Sequence, residues 1–296
     1  MCYMYLAMVN SNVELRPVVP RAPRRPGGHR IGAASARSLL LTLLGEFVLP
    51  AAEPPWTSAL LTGLSLLGVE EKATRQALAR MAGEGWVAPS RSGRRACWRL
   101  TAAGRELLST GAERIYGFSS PLAAWDGRWL VVLVSAPDGS RQLRHLLRTR
   151  LAWTGLGSLT PGVWVSPHPG RQPEVRRVLE DVGVAGGATF FVASLGELGD
   201  AKRVAGQAWN LTEIEARYEE FIGQVRRLAP RTPNETFAAQ VRLVQQWRRF
   251  PLLDPGLPAE LLPDLWTGAE AAALFRSRHA AWKPPADAAW RGFADM

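Results

Sequence analysis

The sequence predicts an α+β protein in three folded parts, and three observations lead to this prediction. Residues 35–117 give helix, helix, helix, β-hairpin and helix, which is the order of an N-terminal winged helix-turn-helix. Residues 118–200 follow a central ferredoxin-like β-α-β-β-α-β order, and residues 201–296 show almost only helical periodicity. We therefore expect a tail at 1–34, a winged helix-turn-helix domain at 35–117, a ferredoxin-like domain at 118–200 and a C-terminal helical domain for effector binding or dimerisation at 201–296.

The first helix of the folded part begins after Ser35, which is a good N-cap for Ala36–Leu49. Leucines recur along it at helical spacing, and Pro50 is expected to end it. The hairpin loop Arg91–Arg95 contains Gly93 where a positive φ is expected. The other elements predicted here are helices Trp56–Leu67 and Glu70–Gly83, strands Trp86–Ser90 and Ala96–Thr101, and helix Ala102–Tyr116.

The central part opens with Arg128–Ser135, a continuous apolar run that suits a strand buried on both faces. The remaining elements are expected at Ser140–Thr154 (helix), Gly155–Ser166 (two strands), Glu174–Val182 (helix) and Ala188–Ser194 (strand). After Asp200 the predicted helices are Lys202–Gln207, Thr212–Ala229, Asn234–Arg249, Pro258–Leu262 and Thr267–Trp282.

Composition and charge favour a polyanion partner over a membrane. Of the 36 basic residues among 296, only Lys72, Lys202 and Lys283 are lysines, and the net charge is +10. The positive excess lies mainly in the first 117 residues, including the Pro- and Arg-rich tail, which is expected to be disordered. No apolar run is long enough to span a membrane. Two cysteines and four scattered histidines predict neither disulfides nor a zinc finger, so we expect a reducing cytoplasm and no cofactor.

The third predicted helix divides into an apolar and a polar face. At about 100° per residue, Thr74, Ala77, Leu78 and Met81 fall together, with Ala73 beside them. The opposite face carries Lys72, Arg75, Gln76 and Arg80. Arginine pairs with guanine and glutamine with adenine in the major groove, so these side chains are candidate base contacts. An ordinary amphipathic surface helix would show the same division.

The hairpin loop strengthens the case for DNA. Arg91, Arg94 and Arg95 lie within five residues, and a cationic loop of this kind can straddle a phosphate backbone or enter a minor groove. These three arginines are the candidate phosphate contacts.

A third candidate site lies near the C-terminus, where an aromatic residue is flanked by arginines and Pro-stiffened loops. Trp247, Arg248 and Arg249, joined by Arg226 and Arg227 upstream, could bind a ligand with an anionic phosphate end and an aromatic end. The alternative is a helix end whose arginines complement the dipole and whose Trp247 and Phe250 pack in the core.

Enzyme signatures are missing from the sequence. It has no dinucleotide or phosphate-binding glycine motif, no nucleophile elbow and no His-Glu-x-x-His. Two other classes stay open: an enzyme that acts on nucleic acid or a thioester through the ferredoxin-like domain, and a structural protein that bridges DNA without a ligand.

Three separated segments together carry a resemblance, and they are Ser35–Phe47 (SARSLLLTLLGEF), Gly68–Arg80 (GVEEKATRQALAR) and Trp247–Pro258 (WRRFPLLDPGLP). They resemble the PaaX family, repressors of phenylacetic-acid catabolic genes. The resemblance runs from about Ser35 to Trp282. It implies a winged-helix DNA-binding domain, a central domain similar to CRISPR-associated ferredoxin-like nucleases, and a helical C-terminal domain. It also implies a homodimer on a double-stranded DNA operator, released by an aromatic acyl-CoA such as phenylacetyl-CoA. The nuclease carboxylate is absent at Ser135, so nuclease activity and its metal are not implied.

Overall fold

The structure, a computed structural model, describes residues 34–51, 53–93, 95–118, 124–135, 140–197 and 199–294. The predicted disordered tail and Arg94 lie outside these ranges. The chain mixes helix and sheet, as predicted. The helices are α1 (Ala36–Leu43), α2 (Thr57–Ser65), α3 (Glu71–Gly83), α4 (Ala102–Gly117), α5 (Arg141–Trp153), α6 (Gln172–Val182), α7 (Ala201–Ala208), α8 (Leu211–Arg227), α9 (Pro233–Trp247), α10 (Phe250–Leu253) and α11 (Gly268–Ala294). The strands are β1 (Val87–Ser92), β2 (Arg95–Leu100), β3 (Arg128–Leu133), β4 (Gly157–Thr160), β5 (Val163–Ser166) and β6 (Thr189–Ser194).

The described residues form two compact units, and the C-terminal third is shared between them. The first unit contains the chain up to Tyr116 together with Val225–Arg248 and the segment from Phe275 onward. The second contains Gly117–Gln224 and Arg249–Leu274. This division differs from a separate helical domain at 201–296, because α9 and most of α11 pack on the first unit. The boundaries drawn from the sequence stay predictions.

The first unit is built around α1. Leu40 and Leu43 are fully buried, and nearly every side chain from Ser38 to Val48 is covered. A helix buried all round needs neighbours on every side, and α9 and α11 supply some of them. Phe47 packs on Phe237 with ring centroids 4.9 Å apart, and Phe237 stacks on Trp290 at 6.1 Å.

The first helix does not end where the sequence predicts. After Leu43 it continues through a π-helical stretch, Leu44–Val48, and a last turn, Leu49–Ala51, that includes Pro50. Pro50 lies in that last turn and is exposed to solvent. π-helical turns inside α-helices are often found at functional sites.

The last helix is also longer than predicted. Its pattern predicts an end at Trp282, since Pro284 and Pro285 follow, but α11 runs on to Ala294. Trp290 and Phe293 beyond the prolines are buried against Phe237. Burying one aromatic side chain is worth about 1.5–3 kcal/mol, so the two rings together offset much of the cost of two prolines in a helix, about 3 kcal/mol each, and tertiary packing decides the helix length.

The hairpin of the first unit is tied to the start of α2. Its strands pair antiparallel, with Arg91 opposite Ala96 and Ser92 opposite Arg95, and Gly93 in the turn has a φ of 60° as predicted. The Trp98 backbone N–H donates to the Pro55 carbonyl at 3.0 Å, and Trp56 forms a β-bridge with Cys97. The segment before α2 therefore lies beside β2 and holds it in place.

The second unit holds a four-stranded antiparallel sheet in the order β4-β5-β3-β6. One face packs on α5 and α6 through Leu130, Val132, Leu147 and Val178. The other face packs on α7 and the segment before α11. Both faces of β3 are thus covered, as its continuous apolar run predicts.

The late segment that resembles a family signature is anchored, from Asp254 to Gly256, by polar contacts within the second unit. The Tyr218 hydroxyl donates to Asp254 at 2.6 Å, and the Arg171 guanidinium donates to the Pro255 carbonyl at 3.0 Å. The His168 Nε2 lies 2.7 Å from the Gly256 carbonyl oxygen. His168 therefore has a structural partner here.

Candidate nucleic-acid interface

Helix α3 presents the division of faces that its sequence predicts. The side chains buried within the first unit are Thr74, Ala77, Leu78 and Met81. The candidate base contacts are all exposed, and they are Lys72, Arg75, Gln76 and Arg80. Lys72, Arg75 and Gln76 also line an open hollow on the surface. Cationic and amide groups are thus available on one continuous face.

One of these side chains already has a partner on its own helix. Arg75 donates to Glu71 at 2.7 Å, one turn earlier, and both side chains are more than half exposed. An exposed ion pair contributes only about 0–1 kcal/mol. Little free energy would therefore be lost if Arg75 left Glu71 to contact a phosphate or a guanine.

The hairpin arginines divide between the two faces of the ribbon. Side chains of residues directly opposite in an antiparallel pair share a face, and alternate residues along a strand face opposite ways. By the register, Arg91 shares a face with Ala96, whereas Arg95 and Arg99 lie on the other face. Arg91, Arg95 and Arg99 are exposed. A ribbon with cations on both faces can reach the two backbones that border a groove.

One hairpin arginine is positioned by an aromatic ring. The Arg95 guanidinium lies 4.6 Å from the centre of the Trp56 ring. The Trp98 indole N–H donates to the Thr57 hydroxyl at 3.1 Å, and that hydroxyl donates to the Ala96 carbonyl. These contacts hold β2 and the Arg95 side chain against α2.

The candidate effector residues differ in exposure and in the unit to which they belong. Arg226 and Arg227 are exposed at the end of α8, and Arg249 is half-buried in the second unit. Trp247 is 1% exposed, stacks on Phe275 at 4.6 Å and donates its indole N–H to the Ile115 carbonyl. Its position fits the alternative in which Trp247 packs in the core. Burial, followed by the nearby charge of Arg217, lowers the pKa of Arg249.

Arg248 belongs to a buried polar seam that the sequence analysis did not identify. Ser38, Thr42 and Glu46 lie four residues apart on one face of the first helix, and all three are buried. Arg248 and the Gln245 amide donate to the Ser38 hydroxyl at 2.8 and 2.6 Å. The Thr42 hydroxyl donates to the Gln245 amide oxygen at 2.5 Å. Three polar residues at four-residue spacing in an otherwise apolar helix were the available signal.

The carboxylate of Glu46 is the centre of this seam. It accepts hydrogen bonds from the Gln240 amide at 2.9 Å and from the Tyr116 hydroxyl, and it lies 2.9 Å from His279 Nε2. Burial alone would raise the pKa of Glu46, but the His279 contact and charge and the Tyr116 and Gln240 hydrogen bonds outweigh it, so the pKa is lowered. Burial, together with the neighbouring Glu46 charge, raises the pKa of Tyr116 far above its usual range.

A small cavity opens beside the seam. It has a volume of about 30 Å³, and its walls include Thr42, Glu46, Tyr116 and Arg248. That is room for about two water molecules.

Comparison with known proteins gives the family. Residues 35–104 match the family described as PaaX-like protein, residues 122–205 match the PaaX protein central Cas2-like domain, and residues 209–292 match the PaaX-like protein C-terminal domain. The chain belongs to the PaaX family. It is 35% identical over 260 residues to the transcriptional repressor PaaX of Escherichia coli (strain K12), covering 83% of this chain and 80% of that protein.

A solved structure has a similar shape. It is an uncharacterized protein, Rv0674, from Mycobacterium tuberculosis, with a TM-score of 0.60 and 27% identity. The similarity covers 86% of this chain and 98% of that one. The PaaX-family matches include α3, the hairpin and the residues of the polar seam other than Tyr116. Among the described residues no group of three metal-binding side chains occurs, and no helix is long and apolar enough to cross a membrane.

The polar seam predicts how stability depends on pH. Because folding lowers the pKa of Glu46, its contribution is present above the ordinary value of 4.5 and is lost as the pH falls below it. Glu46→Gln should lower the free energy of unfolding at neutral pH by about 2 kcal/mol, since it leaves buried donors without an acceptor charge. The substitution should also weaken the dependence of the free energy of unfolding on pH below 4.5.

Urea unfolding measured between neutral and acidic pH tests this expectation. Glu106→Gln, at an exposed position of α4, is the matched control and should change stability by less than about 0.5 kcal/mol. Equal effects of the two substitutions would contradict the role given to Glu46.

Proposed function

We propose that the chain is a DNA-binding transcriptional repressor whose first unit carries a winged helix-turn-helix. The observation that carries this proposal is the exposed cationic and amide face of α3 beside a hairpin with arginines on both faces. The repressor to which the chain is 35% identical supports it. A regulator also fits better than the enzyme alternative, for which the chain offers no motif.

In this proposal α3 reads bases and the hairpin holds the backbone. Lys72, Arg75, Gln76 and Arg80 would contact base edges in the major groove. Arg91, Arg94 and Arg95 would neutralise phosphates, with Arg91 and Arg95 reaching opposite sides of a groove because they lie on opposite faces. Loss of Gln76 should relax specificity at one base pair rather than weaken binding uniformly.

We propose a ferredoxin-like topology for the second unit and a homodimer formed through it. The strand order β4-β5-β3-β6 with two helices on one face supports the topology. Edge strand β6 leaves Phe191 and Val192 about half exposed, at 50% and 48%. Exposed apolar side chains on an edge strand invite pairing with another strand. A second copy of this chain would place two winged helices on the half-sites of one operator.

We propose an aromatic acyl-CoA, such as phenylacetyl-CoA, as the effector that releases the repressor from genes for aromatic-acid breakdown. Arg226, Arg227, Arg248 and Arg249 would meet its phosphates, and its acyl group would approach Trp247. Since Trp247 is buried and the neighbouring cavity is small, the acyl group could enter only by parting α9 from its neighbours. Such an effector would favour a helix arrangement different from the one described, which is the differential affinity that allosteric release requires.

The hairpin arginines should determine the salt dependence of DNA binding. Replacing Arg91, Arg94 and Arg95 with alanine should flatten the slope of log K against log salt by about 2.7 per protomer, because each neutralised phosphate contributes about 0.9. Fluorescence anisotropy with an operator selected from random duplexes measures this slope. The control variant, in which the exposed Arg203, Arg276 and Arg291 become alanine, removes the same charge. A slope changed equally by both variants would exclude hairpin contacts.

The dimer should depend on β6. Phe191→Asp combined with Val192→Asp should convert dimers to monomers in sedimentation equilibrium, since buried carboxylates would be costly at the interface. Leu265→Asp is the control because Leu265 is exposed, at 88%, and lies outside the strands. A dimer that persists in the β6 variant would place the interface elsewhere.

Effector binding should depend on the arginines at the end of α9. Isothermal titration with phenylacetyl-CoA should show binding at least about tenfold weaker in Arg249→Ala and in Arg248→Ala, because each would lose a charged contact to phosphate. Arg242→Ala, on the exposed side of α9, should bind like wild type. Thermal unfolding separates lost contacts from lost structure, since Arg248 is buried. Unchanged affinity in folded variants would remove these residues from the site.

A further inference from the structure

Helix α5 in the second unit carries an unusual charge. It contains Arg141, Arg144, Arg148 and Arg150 and no acidic residue. By comparison, α3 carries three basic residues and Glu71, and α8 mixes arginines with a larger number of glutamates. Among the described helices, α5 has the largest excess of basic over acidic residues. The net charge of its segment hides this excess, because acids on α6 and elsewhere balance it in the sum.

The arginines of α5 fall on two different sides of the helix. Leu147 and Leu151 are buried on the sheet and mark the inward side. At about 100° per residue, Arg150 lies on one flank, where it pairs with Asp181 of α6 at 3.5 Å. Arg141, Arg144 and Arg148 fall within about 60° of one another on the other flank, away from Arg150. We call these three residues the α5 stripe.

The α5 stripe is exposed and carries no neutralising partner in the part of the chain that the structure describes. All three side chains are exposed, and none takes part in an ion pair there. Other exposed arginines do pair, as Arg128 does with Asp126 and Arg217 with Glu213. Arg141 and Arg144 also lie in the first turns, where the helix dipole is positive and cations are disfavoured. Local stability therefore does not account for the stripe.

The spacing of the stripe suits a linear polyanion. A helix rises about 1.5 Å per residue, so the three Cα atoms span about 10 Å along the helix axis. Phosphates of one DNA strand follow one another every 3.4 Å or so along the duplex axis, so the stripe extends over about three phosphate steps. The apolar side of α5 is buried on the sheet, and its one large exposed apolar side chain, Leu146, is too little for binding to a lipid surface.

We propose that the α5 stripe is a second phosphate-binding surface, which contacts the backbone of duplex DNA flanking the operator. This inference rests on the proposed function, because the first unit must bring the protein to DNA. The stripe would add affinity without adding sequence preference, since arginine contacts to phosphates carry no base information. It would also make binding depend on the length of the DNA.

The experiment compares one operator in two duplexes. The short duplex is trimmed to the selected operator, and the long duplex carries two further helical turns of arbitrary sequence at each end. In the variant Arg141→Ala, Arg144→Ala and Arg148→Ala, the slope of log K against log salt on the long duplex should be shallower by about 2.7 per protomer. On the short duplex the slope should match wild type. The substituted side chains are exposed, so thermal unfolding should be unchanged.

Three outcomes would overturn the stripe proposal. They are an unchanged slope on the long duplex, an equal loss on both duplexes, and an equal loss in the Arg203, Arg276 and Arg291 control. The hairpin variant separates failure of the stripe proposal from failure of the proposed DNA-binding function. If it loses slope on both duplexes while the stripe variant loses none, the DNA-binding function stands and the stripe is only a solvated surface. If wild type binds neither duplex, the proposed function itself fails.

Discussion

The buried carboxylate of Glu46 is the constraint on which the first unit depends. A charge this deeply covered is stable only when donors surround it, and here they come from α4, α9 and α11. The donors are supplied by residues as far along the chain as His279. The C-terminal helices are therefore bound to the same helix, α1, that packs on α3. A ligand that moved α9 would have to disturb hydrogen bonds reaching this shared helix.

The C-terminal third of the chain is shared between the two units. The segment matched as a C-terminal domain, 209–292, divides so that Arg248 and Trp247 belong to the first unit and Arg249 to the second. Arg248 holds Ser38 of the first helix, while the turn that follows Arg249 is anchored to the sheet unit through Arg171 and Tyr218. Consecutive residues thus belong to different cores.

The distribution of charge becomes meaningful only when exposure and pairing are known. The sequence placed most of the excess in the first 117 residues, and the exposed face of α3 agrees with that placement. The central region is nearly neutral in sum, yet it contains the acid-free α5 stripe, and Asp181 of α6 pairs with Arg150 outside that stripe. The net charge of a segment adds together the charges on opposite sides of its helices. The electrostatic field at a binding partner depends mainly on the side that faces it.

The sequence by itself determined the element order, the two faces of α3 and the positive φ of Gly93, since each follows from periodicity or local backbone sterics. Only the tertiary structure decided the rest. Burial of Trp290 and Phe293 carried α11 past Pro284 and Pro285, and contacts from distant helices turned Glu46 and Arg248 into a seam. The candidate effector residues show the same limit, because adjacent Trp247, Arg248 and Arg249 lie in different surroundings. Local patterns specify which way a side chain faces on its own element, whereas its partners come from chain segments that those patterns do not include.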